Sequence, residues 1–186
     1  MQGVGDQRFE AITIPHVNAL FQTALRLTEN RACAQEVVRE AYECAWKSLC
    51  RREEWSDWRV GLFKALMQRI HRRNRGWFSA PWLSEPDQTS LEKHTQEAGD
   101  PYTFSSSPEQ IVWALTRVPV PLREIILLVD CQEFSYKQAA DILGLPTDVV
   151  AQRLTLGRNL LRSELNKTTL VIAQDWIKTS DCRRDL

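Results

Sequence analysis

The sequence predicts an all-α protein built as two small helical domains joined by an acidic flexible linker. Three observations predict it. Apolar residues recur at helical spacing from Phe9 to Arg75 and again from Glu109 onward. Between these stretches the periodicity is lost, and proline, serine, threonine and acidic residues take over. No Asn-Gly or Asp-Gly hairpin signal appears anywhere in the 186 residues. The expected division is a first helical domain at 1–76, a linker at 77–108, a second helical domain at 109–166, and a tail at 167–186.

In the first domain, "HVNALFQTALRLT" places Val17, Leu20, Phe21, Ala24, Leu25 and Leu27 on one broad stripe. "AQEVVREAYECAWKSL" repeats the arrangement with Val37, Val38, Ala41, Tyr42, Ala45 and Leu49. "WRVGLFKALMQRIHRRNR" sets Leu62, Phe63, Leu66, Met67 and Ile70 on one side, with Arg69, Arg72 and Arg73 largely on the other. The expected helices run near 11–28, 31–51 and 55–75. In the second domain they run near 109–116, 120–131, 135–142 and 147–165, with Pro119 and Pro121 punctuating the first boundary. Ser135 is a good N-cap, Gly144 suits a helix C-terminus, and Thr147 is the expected cap of the last helix with Asp148 in its first turn. In the linker, Trp77, Phe78, Trp82 and Leu83 stand out as residues that could dock on a domain or a partner.

Composition narrows the function. Hydrophobic residues make up 43% and charged residues 26%, enough for a core and a solvated surface. The net charge is zero, but residues 1–76 hold 13 Lys/Arg against 9 Asp/Glu, residues 77–109 hold 1 against 6, and residues 110–186 hold 10 against 9. A basic first part, an acidic middle and a near-neutral last part point to units with separate partners. No apolar run reaches bilayer-spanning length and the N-terminus has no secretory pattern, so the expectation is a cytoplasmic chain without membrane insertion. The five cysteines include no CxxC pair and suit reduced thiols, while His16, His71 and His94 lie far apart, so no metal is expected. No phosphate loop, nucleophile elbow, HExxH or paired-carboxylate constellation is present. The expectation is a non-enzyme without a cofactor.

The segment "FSYKQAADILGLPTDVVAQRLTLGRNLL" reads as two helices separated by Gly144-Leu145-Pro146. Ala139, Ala140, Ile142 and Leu143 fit the inner face of the first, and Val149, Val150, Leu154 and Leu161 that of the second. Thr147, Asp148, Ala151, Gln152, Thr155 and Arg158 then fall on or near the outer face, with Arg153 at its margin. A helix-turn-helix would place that face in a major groove. Gln152 could read adenine and the arginines could hold phosphate or guanine. A plain helical hairpin that only packs explains the same pattern.

The stretch "VPVPLREIILLVDCQEFSYKQAADILGLPTDVVAQRLTLGRNLLRSEL" resembles region four of bacterial sigma-70 family sigma factors of the extracytoplasmic-function (ECF) group. Val118-Pro119, Arg123, Ile125 to Val129, Ser135-Tyr136, Ala140, Leu143-Gly144, Val150, Arg153-Leu154, Arg158 and Leu161 carry the likeness. The first helical unit resembles the same family's region two through Ala34, Glu36, Val37, Val38, Arg39, Glu40, Tyr42, Ala45 and Trp46, and more loosely through "GLFKALMQ". Gly61 stands where the family has Trp, Gln68 where it has Asn, and Leu156 where it has Arg.

The resemblance implies a transcription initiation factor whose partners are core RNA polymerase, promoter DNA and a possible anti-sigma factor. It implies polymerase docking through Glu36, Arg39 and Glu40. Contact with the minus-35 element falls to Thr147, Gln152, Arg153, Thr155 and Arg158, and contact near the melted minus-10 element to Arg69, Arg72 and Arg73. Two alternatives accompany it: a sigma-like adaptor without promoter recognition, and a helix-turn-helix regulator that uses the last domain alone. Arg123 is expected to pair structurally or to touch phosphate. Trp46 is expected in the core, and Trp55 and Trp58 either there or stacked on an unpaired base.

Overall fold

A computed structural model describes residues 9–51, 55–74 and 107–181, with side chains as far as Lys167. Nearly all of the expected linker, with Trp77, Phe78, Trp82 and Leu83, lies outside the described residues, as do Arg75 and Cys182. Every described element is helical. A helical lead-in from Phe9 ends in a 3-10 turn at Ile14–His16, then α1 spans Val17–Thr28, α2 Arg31–Cys50 and α3 Trp58–Arg73. After the linker, α4 spans Pro108–Arg117, α5 Val120–Ile126, α6 Tyr136–Leu143 and α7 Thr147–Asp181. A π-helical turn at Leu127–Cys131 extends α5.

The apolar periods become buried faces. Leu20, Ala24 and Leu27 of α1, Val37, Ala41 and Ala45 of α2, and Leu62, Phe63, Leu66, Met67 and Ile70 of α3 are all buried. Val17, assigned to the α1 stripe, lies instead on the exposed side, because Pro15 interrupts the helix and re-aims its first turn. α3 begins at Trp58 rather than near 55, where the Asp57 carboxylate accepts from the N–H groups of Arg59 and Val60. An aromatic cluster closes one end of the first unit. Phe9 meets Trp46 edge-on at 5.2 Å and Trp58 at 6.3 Å, and Trp58 meets Trp55 at 5.1 Å. Trp46 is therefore a packing residue, and so are Trp55 and Trp58 here. The Tyr42 hydroxyl donates to the Thr13 carbonyl at 2.7 Å, and burial pushes its pKa up to about 12.

Capping chemistry delimits the second unit. Ser107 and Gln110 form a reciprocal capping box at the start of α4, and Ser135 and Gln138 form another at α6. Gly144 ends α6 at φ +68°, a conformation that favours a residue without Cβ. α7 begins at Thr147 itself, and the Val150 N–H donates to the Pro146 carbonyl at 3.1 Å. The expected Thr147 cap is thus one residue late, because Pro146 already supplies the first helical carbonyl. α7 also continues well past the predicted end near 165, to Asp181.

Both units share one contiguous apolar core, centred on α3 in the first and on α5, α6 and α7 in the second. The α3–α6 contact joins them. The Phe63 ring meets Phe134 edge-on at 5.0 Å, and the Arg59 guanidinium lies 4.3 Å from the Phe134 ring centre. Glu133 reaches φ +56° to turn the chain so that Phe134 enters this contact.

Candidate nucleic-acid interface

The α6–turn–α7 segment is a helix-turn-helix. Its inner residues Ala139, Ala140, Ile142, Val150 and Leu154 are buried, and Val149, Leu143 and Leu161 are half-buried. Leu156 packs on the core from the flank of α7, so the apolar residue that breaks the family's basic pattern does not face the groove. Thr147, Asp148, Gln152, Thr155 and Arg158 are exposed together, with Gln152 in the second turn of the helix. The Thr155 hydroxyl donates back to the Ala151 carbonyl at 3.0 Å.

Two arginines of this helix, Arg153 and Arg158, are already engaged. Arg158 holds Asp130 of the π-helical turn with two guanidinium nitrogens, Nε at 3.0 Å from Oδ2. That pairing raises its pKa. Arg153 is half-buried beside Glu124, and desolvation lowers its pKa against the pull of that carboxylate. It points back towards α5, which corrects its expected place at the margin of the outer face. The reason is electrostatic: Glu124 is almost fully buried and attracts the Arg153 charge.

In the first unit the two residue sets assigned to different partners come together. The Arg73 guanidinium donates to Glu36 at 2.7 Å and to Glu40 at 2.6 Å, tying the last turn of α3 to the first half of α2. Arg73 holds the Glu36 carboxyl below its ordinary range. Arg39 pairs along its own helix with Glu43. Arg72 is exposed and Arg69 half-exposed on the same end of α3, whereas Arg73 reaches across to α2. The network joins Glu36 and Glu40 of the expected polymerase dock to Arg73 of the expected DNA-facing set.

A second group of charged residues, absent from the sequence-predicted set, bridges the two units. His71 Nε2 lies 2.7 Å from Glu124 Oε2, and Lys64 donates to Asp141 at 2.7 Å. Arg59 donates to the Gln132 carbonyl. Arg123, only 3% exposed, donates to the Thr116, Val118 and Arg26 carbonyls and to the Glu29 carboxylate. It pairs structurally, with no phosphate-facing nitrogen. Burial pushes the Glu124 carboxyl up, although His71 and Arg153 both pull it down. Among the described residues no His, Cys, Asp or Glu cluster could hold a metal ion, and no helix is long and apolar enough to cross a membrane.

A helix-turn-helix with a buried inner face and an exposed Gln152 has the form that DNA-reading hairpins take. Comparison with known proteins narrows that class. Residues 109–161 match the family description "Sigma-70, region 4". The chain is 25% identical over 182 residues to the ECF RNA polymerase sigma factor SigE of Mycolicibacterium smegmatis, covering 91% of this chain and 68% of that protein. Its fold matches the sigma factor RpoE of Bartonella quintana, solved in complex with the anti-sigma factor NepR. The TM-score there is 0.64 and the identity 21%, covering 86% of this chain and 98% of the other. Residues 109–161 thus match sigma-70 region 4, and over most of its length the chain is similar to an ECF sigma factor.

Proposed function

We propose that the protein is a transcription initiation factor that binds core RNA polymerase in the cytoplasm and directs it to specific promoters. The observation that carries the reading is the helix-turn-helix of α6 and α7, inside the region-4 match at 109–161, which presents Gln152 and Thr155 outward on a packed scaffold. Gln152, Thr155 and Thr147 meet base edges and phosphates of the minus-35 element, and Arg158 turns from Asp130 to phosphate. Arg69 and Arg72 lie along DNA near the minus-10 element. Glu36, Arg39 and Glu40 face the polymerase, and an anti-sigma factor covers part of the same surfaces.

The test is reconstitution with core polymerase and a promoter library, followed by mapping of transcript starts. Defined starts are expected. Gln152→Ala should relax preference at one base pair, by about 1–3 kcal/mol. Arg158→Ala should weaken every promoter alike and flatten the salt dependence. Polymerase binding without any selected start would favour the adaptor reading instead. The observation on that side is that Arg73 and Arg158 are both held by carboxylates.

A further inference from the structure

The exposed start of α7 is short of the groups that read guanine. Guanine presents two acceptors in the major groove, O6 and N7, and a cationic fork is the side chain that meets both. Arg153 cannot supply one, because it is half-buried beside Glu124. Arg158 spends two guanidinium nitrogens on the Asp130 carboxylate, the same edge that would span O6 and N7. It also lies 11 residues beyond Thr147, about 16 Å along the helix axis and past the turns that enter a groove. Lys137 is exposed on α6, the helix that crosses the DNA backbone in this motif, so its charge serves phosphate.

What the face offers instead is a carboxylate, an amide and a methyl group. Asp148 is exposed in the first turn, with no ion-pair partner among the described residues. A carboxylate repels phosphate, and its complement in the major groove is an amino group, the N4 of cytosine. The exposed Gln152 amide can both accept from adenine N6 and donate to N7. The Thr155 hydroxyl turns back to the Ala151 carbonyl at 3.0 Å, which leaves its methyl as the outward contact, the complement of a thymine methyl. Asp148 and Gln152 stand 4 residues apart, about 6 Å along the axis, a span of about two base pairs.

We propose that Asp148 is a specificity-determining residue of the reading head, which selects a cytosine and an adenine within about two base pairs of each other and reads no guanine edge. This rests on the promoter recognition proposed above. The Asp148 carboxylate accepts from cytosine N4, Gln152 spans adenine N6 and N7, and Thr155 covers a thymine methyl. Arg158 and Lys137 supply phosphate contacts that carry no sequence preference.

The experiment uses the full chain bound to core polymerase and a minus-35 element selected from a randomised duplex pool. Binding is then measured on base analogues that delete one edge at a time. Replacing the guanines of the element by 7-deazaguanine should leave affinity within about twofold. Replacing the adenine opposite Gln152 by 7-deazaadenine should weaken binding about tenfold, and so should a cytosine analogue that lacks the 4-amino group. Asp148→Asn should move the selected base from cytosine to adenine, because an amide pairs with adenine as Gln152 does.

A loss of about tenfold with 7-deazaguanine would overturn the assignment and leave promoter recognition standing. An unchanged selected element in a folded Asp148→Asn chain would do the same. If that variant fails to fold, the analogues on the wild-type chain decide alone. A polymerase-bound chain that selects no element from the pool would overturn the proposed function, and the assignment with it.

Discussion

Replacing Gly61 with alanine sets two magnitudes against each other. In an open helix interior the change stabilises by about 1 kcal/mol, because glycine loses more backbone freedom on folding than alanine. At this position a Cβ would sit 2.1 Å from Trp55 Cε3, 2.6 Å from Cδ2 and 2.7 Å from Cζ3. Those are ring atoms of an indole held by Trp58 at 5.1 Å, so the ring must leave rather than shift slightly. Losing the aromatic pairing costs about 0.5–1.5 kcal/mol. Uncovering a half-buried indole costs about 2 kcal/mol more, roughly half of what a fully buried one contributes. Gly61→Ala should therefore destabilise by about 2 kcal/mol net. Urea unfolding read by circular dichroism gives the free energy, and indole emission should shift to the red as Trp55 enters water. The decisive control is the double-mutant cycle with Trp55→Ala. Once the ring is gone, Gly61→Ala should recover the helical advantage of alanine and stabilise by about 1 kcal/mol. A stabilising Gly61→Ala with unchanged emission would refute the steric reasoning.

Two further outcomes follow from buried charge. Glu124 has its pKa raised above 4.5 in the folded state, so the native protein binds that proton more tightly than the unfolded chain. Its contribution is complete below pH 4.5 and is lost as pH climbs through the raised value. Glu124→Gln should therefore gain on wild type between about pH 4 and pH 7 in urea midpoints; a variant that loses ground over that range would make the carboxylate a net stabiliser. Arg123→Ala removes a 3%-exposed cation with acceptors on both units and should cost about 3 kcal/mol, while Glu29→Gln, at its exposed end, should cost under about 1 kcal/mol. Equal costs for the two substitutions in thermal unfolding would contradict that division.

The helices were legible in the sequence because each must bury one face, and a buried face leaves a period. The stripes of α2 and α3, the inner face of the helix-turn-helix, the Ser135 cap and the Gly144 terminus all carried local signals. Thr147 was misread as a cap because a proline carbonyl can start a helix as well as a side chain can. The joint between the units left no such trace. His71 and Glu124 are 53 positions apart, and Lys64 and Asp141 are 77 apart. No repeat links them, and each is an ordinary surface charge in its own helix. The inward turn of Arg153 was hidden for the same reason, since it depends on a carboxylate from another helix. Gly61 looked like a weakness in α3, a glycine inside a helix. Only the folded chain shows an indole from six residues upstream lying over it.

The shared core also bears on how the chain is made. A ribosome completes α3 at Arg73 about sixty residues before it reaches Phe134. At about 5–20 residues per second that interval lasts about 3–12 s. Throughout it the Phe63 face of the nascent first unit has no covering ring. For those seconds the emerging chain is a client for a chaperone, or for any neighbouring nascent chain with an aromatic side chain to offer.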